Sequence, residues 1–370
     1  MRRTLLFLGL CGAAALAQSP APRENTLPMG QFQPVTMLHV PEHPVALAKF
    51  LVIDVHNHVN DATEDNTDRQ DPAKLVRLMD ELNIRKIVIL TGGWGEKLQK
   101  VIDQNLKPYP DRFVVMTQVD WKRIDEPDFG KRMAEQIRDA VRRGARGLKV
   151  LKELGLEVRD KSGGLVPVDD ARLDPIWAEC GRLGIPVAMH VADPEAFFRP
   201  IDNTNERYDE LGRYPEWSFC CPPRFPTLQE ILEQRDRMLA KHPETTFILL
   251  HFGHWPENLD HVERTLRRFP NTYIETGARQ AELGRQPRRT RELILQFPDR
   301  VMFGTDIAVS APMYRSYFRW LETADEYFDY FGFPGQGFWK ISGMYLPDAV
   351  LEKMYHGNVE KVFAQFRGGK

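Results

Sequence analysis

Eight short apolar runs separated by seven helical stretches constrain this chain more than any other feature. The runs are LVIDV at 51–55, KIVIL at 86–90, FVVMT at 113–117, RGLKV at 146–150, PVAMH at 186–190, TFILLHFG at 246–253, NTYIETG at 271–277 and RVMFGTD at 300–306. Strands buried on both faces read as such unbroken β-branched runs, not as alternating ones. Between them the apolar spacing predicts helices near 72–82, 96–106, 129–143, 172–183, 227–241, 257–268 and 288–297. Strand and helix in alternation are the mark of parallel βαβ units. Eight strands close a (β/α)₈ barrel, and the span 51–306 matches its usual size of about 250 residues. A doubly wound open sheet is the alternative, but no glycine-rich phosphate loop follows any strand. The expected fold class is therefore α/β, a TIM barrel with an extended N-terminal arm and long insertions at its C-terminal mouth.

The first 48 residues stand apart. Arg2 and Arg3, an apolar core from Leu5 to Leu16 and an Ala15-Leu16-Ala17 site predict a Sec signal peptide over 1–17. That core is too short to span a bilayer, and Cys11 follows Leu10 where a lipoprotein signal would want a small residue. The expected product is exported, periplasmic or extracellular. Residues 18–48 hold six prolines and little periodicity, an extended arm, and the barrel domain takes 49–370. With a formal net charge of -2 and no charged block, neither nucleic-acid nor membrane binding is expected. The partner expected is a small-molecule substrate, with a homodimer the one protein partner considered. Of the cysteines left after the leader, Cys180 reads as a buried small hydrophobe. Cys220 and Cys221 read either as a vicinal disulfide or as two unlinked thiols.

Polar residues gather at the ends of the runs. Strand 1 ends in His56 and His58, strand 5 in His190, strand 6 in His251 and strand 8 in Asp306. Side chains alternate along a strand, so His56 and His58 point the same way. Alone, such a pair could equally be solvated at a loop exit. In a barrel, however, all carboxyl ends of strands converge on one mouth, where catalytic groups of this fold sit. Imidazole with carboxylate suits Zn²⁺ first, Mn²⁺ or Fe²⁺ less commonly. His39, His43, His242, His261 and His356 fall in the arm, turns or helices and read as structural or solvated. His254, beside Trp255, is placed at the pocket wall.

With these residues in view, the sequence resembles the amidohydrolase superfamily, in its amidohydrolase-related branch of aminocarboxymuconate-semialdehyde decarboxylase-like enzymes. The matching segments are Asp54-Val55-His56-Asn57-His58, His190, His251-Phe252-Gly253-His254, Phe303-Gly304-Thr305-Asp306 and the closing LPDAVLEKMYHGNVEKVF at 346–363. The resemblance implies metal ligation by His56, His58, His190 and Asp306, with His251 a catalytic base or electrostatic stabiliser. It implies one divalent cation per chain rather than two. Lys149, ending strand 4, stands where two-metal members carry a carboxylated bridging lysine, in which case Lys149 and His251 would join the ligand set. Otherwise Lys149 binds a substrate carboxylate or pairs with a nearby acid.

A divalent cation lowers the pKa of bound water from about 15.7 to near 7, and Asp306 is placed to take its proton. Hydrolysis of a C–N or C–O acyl bond is the leading expectation. Non-oxidative decarboxylation of an aromatic or unsaturated acid is the alternative. A third reading, a metal-binding protein without catalysis, predicts a closed coordination shell. The long segment 191–245 supplies Arg199 and Arg213, and the strand-2 loop supplies Trp94, as candidate substrate contacts. The aromatic stretch 307–345 reads mostly as a hydrophobic packing or dimerisation surface.

Overall fold

The computed structural model describes residues 27–28, 31–32, 34–59 and 71–363. The expected leader over 1–17 lies outside them. The chain divides into two units, Met1–His39 and Val40–Lys370. The described residues of the first unit are all exposed. No helix among the described residues is long and apolar enough to cross a membrane.

The described residues of the second unit carry nine strand segments: β1 (Val52–Asn57), β2 (Ile84–Ile89), β3 (Phe113–Val115), β4 (Thr117–Gln118), β5 (Leu148–Val150), β6 (Val187–Met189), β7 (Phe247–Leu249), β8 (Thr272–Glu275) and β9 (Val301–Met302). Every pair is parallel and joins sequence neighbours, in the orders β1-β2-β3 and β4-β5-β6-β7-β8-β9. The expected third strand is divided at Met116. Its N–H bonds back to the Ile89 carbonyl at 2.9 Å, and the next N–H, of Thr117, bonds forward to Gly147 at 2.9 Å. One residue thus hands the ring from β2 to β5. The last strand returns to the first through Val55 N–H to the Phe303 carbonyl (3.0 Å) and Asp306 N–H to the His56 carbonyl (2.8 Å). These bonds complete the barrel.

Its interior is filled by Ile53, Val55, Val88, Leu90, Met116, Ala188, Ile248 and Met302, closed by Val359 and Phe363 from the C-terminal helical segment. Alternate residues, among them Val52, Ile87, Val115 and Leu148, pack outward against the helices. Helices at Pro72–Glu81, Phe129–Arg143, Asp174–Leu183, Leu228–Lys241, Leu259–Arg268 and Pro287–Gln296 follow the expected spacing. The helix at 228–241 starts on a full capping box between Thr227 and Glu230. Much of the aromatic stretch packs inward, although Tyr327, Phe338 and Tyr345 remain exposed. Tyr314, Tyr317, Phe318 and Trp320 of the helix Ala311–Glu322 are fully buried in this chain's own core. Cys180 is buried as expected, and burial pushes its thiol pKa up. Cys220 and Cys221 are joined as a vicinal disulfide.

Candidate active site

The opening strand aims its histidines by breaking its own register. Ile53 and Val55 belong to the barrel interior, so simple alternation would send His56 outward. The pairing with β2 slips between Asp54 and Asn57, the interval that contains His56, and His56 and His58 both turn to the mouth. Asp54 fixes this segment. It accepts the N–H of His56 and of Thr305 at 3.1 Å each, the Thr305 hydroxyl at 2.6 Å and the Tyr314 hydroxyl at 2.7 Å.

Other strand ends reach the same place by left-handed backbone. His251, Phe252, Ala278 and Asp306 have φ of 54°, 58°, 52° and 51°, a region that non-glycine residues occupy only when their surroundings hold them there. The result is convergence on the Asp306 carboxylate. Its Oδ1 lies 3.1 Å from His56 Nε2 and 3.0 Å from His58 Nε2, and its Oδ2 lies 3.7 Å from His251 Nε2. His190 joins through His251, with its Nδ1 at 3.3 Å from His251 Nε2, while its own Nε2 faces Asp193 at 3.3 Å. The His56 and His251 side chains are shut from solvent at 0% and 2% exposure, whereas those of His58 and Asp306 are 23% and 21% exposed. The cluster opens on that side.

The residue that sequence reasoning overlooked is Glu275, at the end of β8. Completely buried, it accepts His56 Nδ1–H at 3.1 Å and the His251 N–H at 2.6 Å. A Cβ on Gly304 would come within 2.1 Å of its Oε2 and one on Gly277 within 2.7 Å, so both glycines are needed beside it. The signal was in the sequence: Glu275 ends an apolar strand as Asp306 does. Because Glu275 holds Nδ1–H, His56 keeps a lone pair on Nε2, which faces the Asp306 carboxylate, itself an acceptor, so that no hydrogen bond satisfies it. Burial alone would lower the His56 pKa, but the Asp306 and Glu275 carboxylates outweigh it and raise it. The position asks for positive charge. Burial would raise Asp306 too, yet His56 and His58 hold its carboxyl well below the usual range. His56, His58 and Asp306 each offer a ligand atom within 4.8 Å of the others, as do His56, His251 and Glu275. The donor set and the open lone pair fit a divalent cation.

His251 is neutral: burial first, then His190 and Arg279, keep its pKa well below 6.5. The Gly277 carbonyl, 2.9 Å from Nδ1, can only accept, so the proton sits on Nδ1 and Nε2 is an acceptor. Lys149 is buried with its Nζ unpartnered, and burial pulls its ammonium down to about 8 against the raising effect of Asp306 and Glu275.

Three expected substrate contacts lie elsewhere. His254 does not line the mouth; it is buried, donating Nε2–H to the Met189 carbonyl at 2.7 Å, with Nδ1 facing Arg235 at 3.2 Å. Arg199 is exposed and paired with Glu195, and Arg213 donates to the Gly335 carbonyl at 2.6 Å. Trp94, 37% exposed, precedes the short helix Gly95–Val101. The guanidinium that acts on His251 is instead Arg279, buried and 3.7 Å from Asp193, the carboxylate on His190.

A family model described as amidohydrolase matches residues 53–365. The chain belongs to the amidohydrolase family. Its fold is that of solved members of that superfamily. 2,6-Dihydroxybenzoate decarboxylase from Rhizobium is 16% identical, with a TM-score of 0.55 over 85% of this chain and 99% of that one. A dihydroxybenzoic acid decarboxylase from Polaromonas sp. JS666 with bound manganese is 15% identical, with a TM-score of 0.55 over 85% and 97%. An amidohydrolase from Burkholderia multivorans with bound zinc is 16% identical, with a TM-score of 0.51 over 85% and 99%. No curated protein matches the chain by sequence.

Proposed function

We propose that this amidohydrolase-family protein is a metal-dependent hydrolase of small, cyclic or aromatic amides, esters or lactones. His56, His58 and Asp306 would hold one divalent cation, with His190 as the fourth ligand through Nδ1. Zinc suits this nitrogen and oxygen set, and manganese is the second choice. The observation that carries the reading is the unpartnered His56 Nε2, held in place through Glu275 and aimed at the carboxylate it shares with His58.

Such a cation supplies Lewis acidity and hydroxide at neutral pH. The chain's own groups do the rest. Asp306, ionised by its histidine neighbours, accepts a proton on Oδ2. His251 presents an unprotonated Nε2 beside it, which makes it a base in this state and leaves carbonyl polarisation to other groups. Lys149, a buried ammonium without a partner, is the donor at hand for an anionic part of the substrate.

Lys149 also supports a second reading, non-oxidative decarboxylation. A substrate carboxylate would pair with that ammonium, leave as CO₂, and be replaced at carbon by a proton. The decarboxylases of like fold favour this reading to the same degree.

Elemental analysis of protein purified without added metal or chelator tests the core of both. About one equivalent of zinc or manganese, lost in His58→Ala, is expected. About two would bring Lys149 in as a carboxylated bridge. No metal after reconstitution would overturn the reading. Release of acid or amine from lactones and amides, against CO₂ from carboxylated aromatics, then separates hydrolase from lyase.

A further inference from the structure

His190 can hold its proton in either of two places, since a neutral imidazole carries a single N–H. On Nε2 the proton goes to Asp193 Oδ1 at 3.3 Å, and on Nδ1 it goes to His251 Nε2, also at 3.3 Å. The two arrangements have opposite consequences for the metal-binding reading, on which this inference rests. With the proton on Nε2, the Nδ1 lone pair is open beside His251. With it on Nδ1, one hydrogen bond ties up the ligand nitrogen of His190 and the basic nitrogen of His251 together. His251 cannot settle the choice by donating, because the Gly277 carbonyl at 2.9 Å holds its own proton on Nδ1.

The surroundings of Asp193 decide it. Its side chain is 8% exposed, its Oδ2 accepts from Lys152 Nζ at 2.6 Å, and Arg279 Nη2 lies 3.7 Å from its Oδ1. Both cations are themselves placed. Lys152 Nζ sits 5.1 Å from the centre of the Phe219 ring, and Arg279 donates to the Ala278 carbonyl at 2.8 Å. A carboxylate flanked by an ammonium and a guanidinium stays ionised and can only accept. A hydrogen bond onto an ionised acceptor is roughly twice as strong as one between neutral groups. Asp193 therefore wins the His190 proton over the neutral His251 nitrogen.

We propose that Asp193 is a positioning residue, held as an anion by Lys152 and Arg279, that keeps the His190 proton on Nε2 and so leaves Nδ1 free to ligate the cation. It acts through His190 as Glu275 acts through His56. The difference lies in what happens without it. His190 has a second acceptor at hand in His251, so loss of Asp193 would close both nitrogens at once.

Nitrogen NMR of the whole protein, carrying isotopically labelled histidine and freed of metal, reads the tautomer directly. The His190 signals are assigned by their loss in His190→Gln. Nε2–H is expected in the parent and Nδ1–H in Asp193→Ala. Zinc affinity, by chelator competition, should fall about 10–100-fold in Asp193→Ala. Asp193→Asn keeps an oxygen that can accept Nε2–H, so it should restore the parent tautomer and most of the zinc affinity. A role in folding alone would weaken zinc binding without moving the proton. Nδ1–H in the parent overturns the proposal even if neither variant folds. So does Nε2–H retained in Asp193→Ala, an unchanged zinc affinity there, or an Asp193→Asn no better than Asp193→Ala. A parent that takes up no zinc would instead sink the proposed function, while the tautomers of the metal-free proteins would still show whether Asp193 places the proton.

Discussion

His251 and His254 belong to one left-handed turn and look the same in sequence, yet they occupy opposite environments. His251 faces the mouth, with Nδ1–H on the Gly277 carbonyl and Nε2 turned to His190 and Asp306. His254 faces the helix Leu228–Lys241, with Nε2–H on the Met189 carbonyl and Nδ1 at Arg235. Arg235 is fully buried and spends its donors on the Gly253 carbonyl (2.8 Å), Asp236 (2.7 and 3.0 Å), Thr265 (3.3 Å) and His261 (3.3 Å). That network closes on itself. The one at the mouth leaves a lone pair open on His56 and an ammonium open on Lys149. Burial of a histidine therefore does not mark function; an unfilled valence held in place by its neighbours does.

The comparison breaks most visibly at the open network. His58→Ala removes one of the four proposed ligands, and metal content is expected to fall from about one equivalent to near zero, with activity following. Elemental analysis checks it; full retention of metal would erase the distinction. Arg235→Met attacks the closed network instead. Besides the part-buried Asp236 and His261, it strands three buried acceptors, the Gly253 carbonyl, His254 Nδ1 and Thr265 Oγ1, at about 1 kcal/mol each, or about 3 kcal/mol for these three. Denaturant unfolding should show that loss while metal stays bound in the folded protein. Lost metal with unchanged stability would mean the two networks had been assigned the wrong way round.

Glu275 sharpens the contrast, because it is a structural-looking carboxylate serving the open side. Glu275→Gln should weaken metal binding about 10–100-fold by chelator competition, since it loosens the hold on His56 Nδ1–H. Gly304→Ala should reproduce the effect by driving a methyl group into Glu275 Oε2. If Gly304→Ala alone leaves affinity intact, the cradle around Glu275 is looser than its geometry implies.

Much of this was legible in the chain because it follows from period. Runs such as 86–90 and 186–190 are apolar on both faces, and only a parallel sheet covered on both sides wants that. That His56 and His58 share a side, and that His190 and Lys149 stand at strand ends, follows from alternation along short strands. The slip at Asp54–Asn57 and the left-handed residues at 251–252 and 306 follow from no local preference; tertiary hydrogen bonds to Asp54, Glu275 and Gly277 impose them. His254 was misplaced for the same reason. A strand continued through 253 would keep it near the mouth, whereas the turn swings it onto Arg235.

The smallest effect tests how far the Arg235 network governs its histidines. Burial, and after it the Arg235 charge, hold His261 down at about 4, below the ordinary 6.5. The folded imidazole is therefore neutral where the unfolded one takes up a proton. Stability is undiminished by this group above about 6.5 and falls as pH drops from 6.5 through 4. His261→Asn, which keeps an acceptor for Arg235, should lose less stability between pH 7.5 and pH 5 than the parent does, as read from urea midpoints. Other buried histidines titrate in the same window, so the quantity that matters is the difference between the two proteins. Parallel losses would mean that neither burial nor Arg235 holds His261 below its ordinary range in the folded protein.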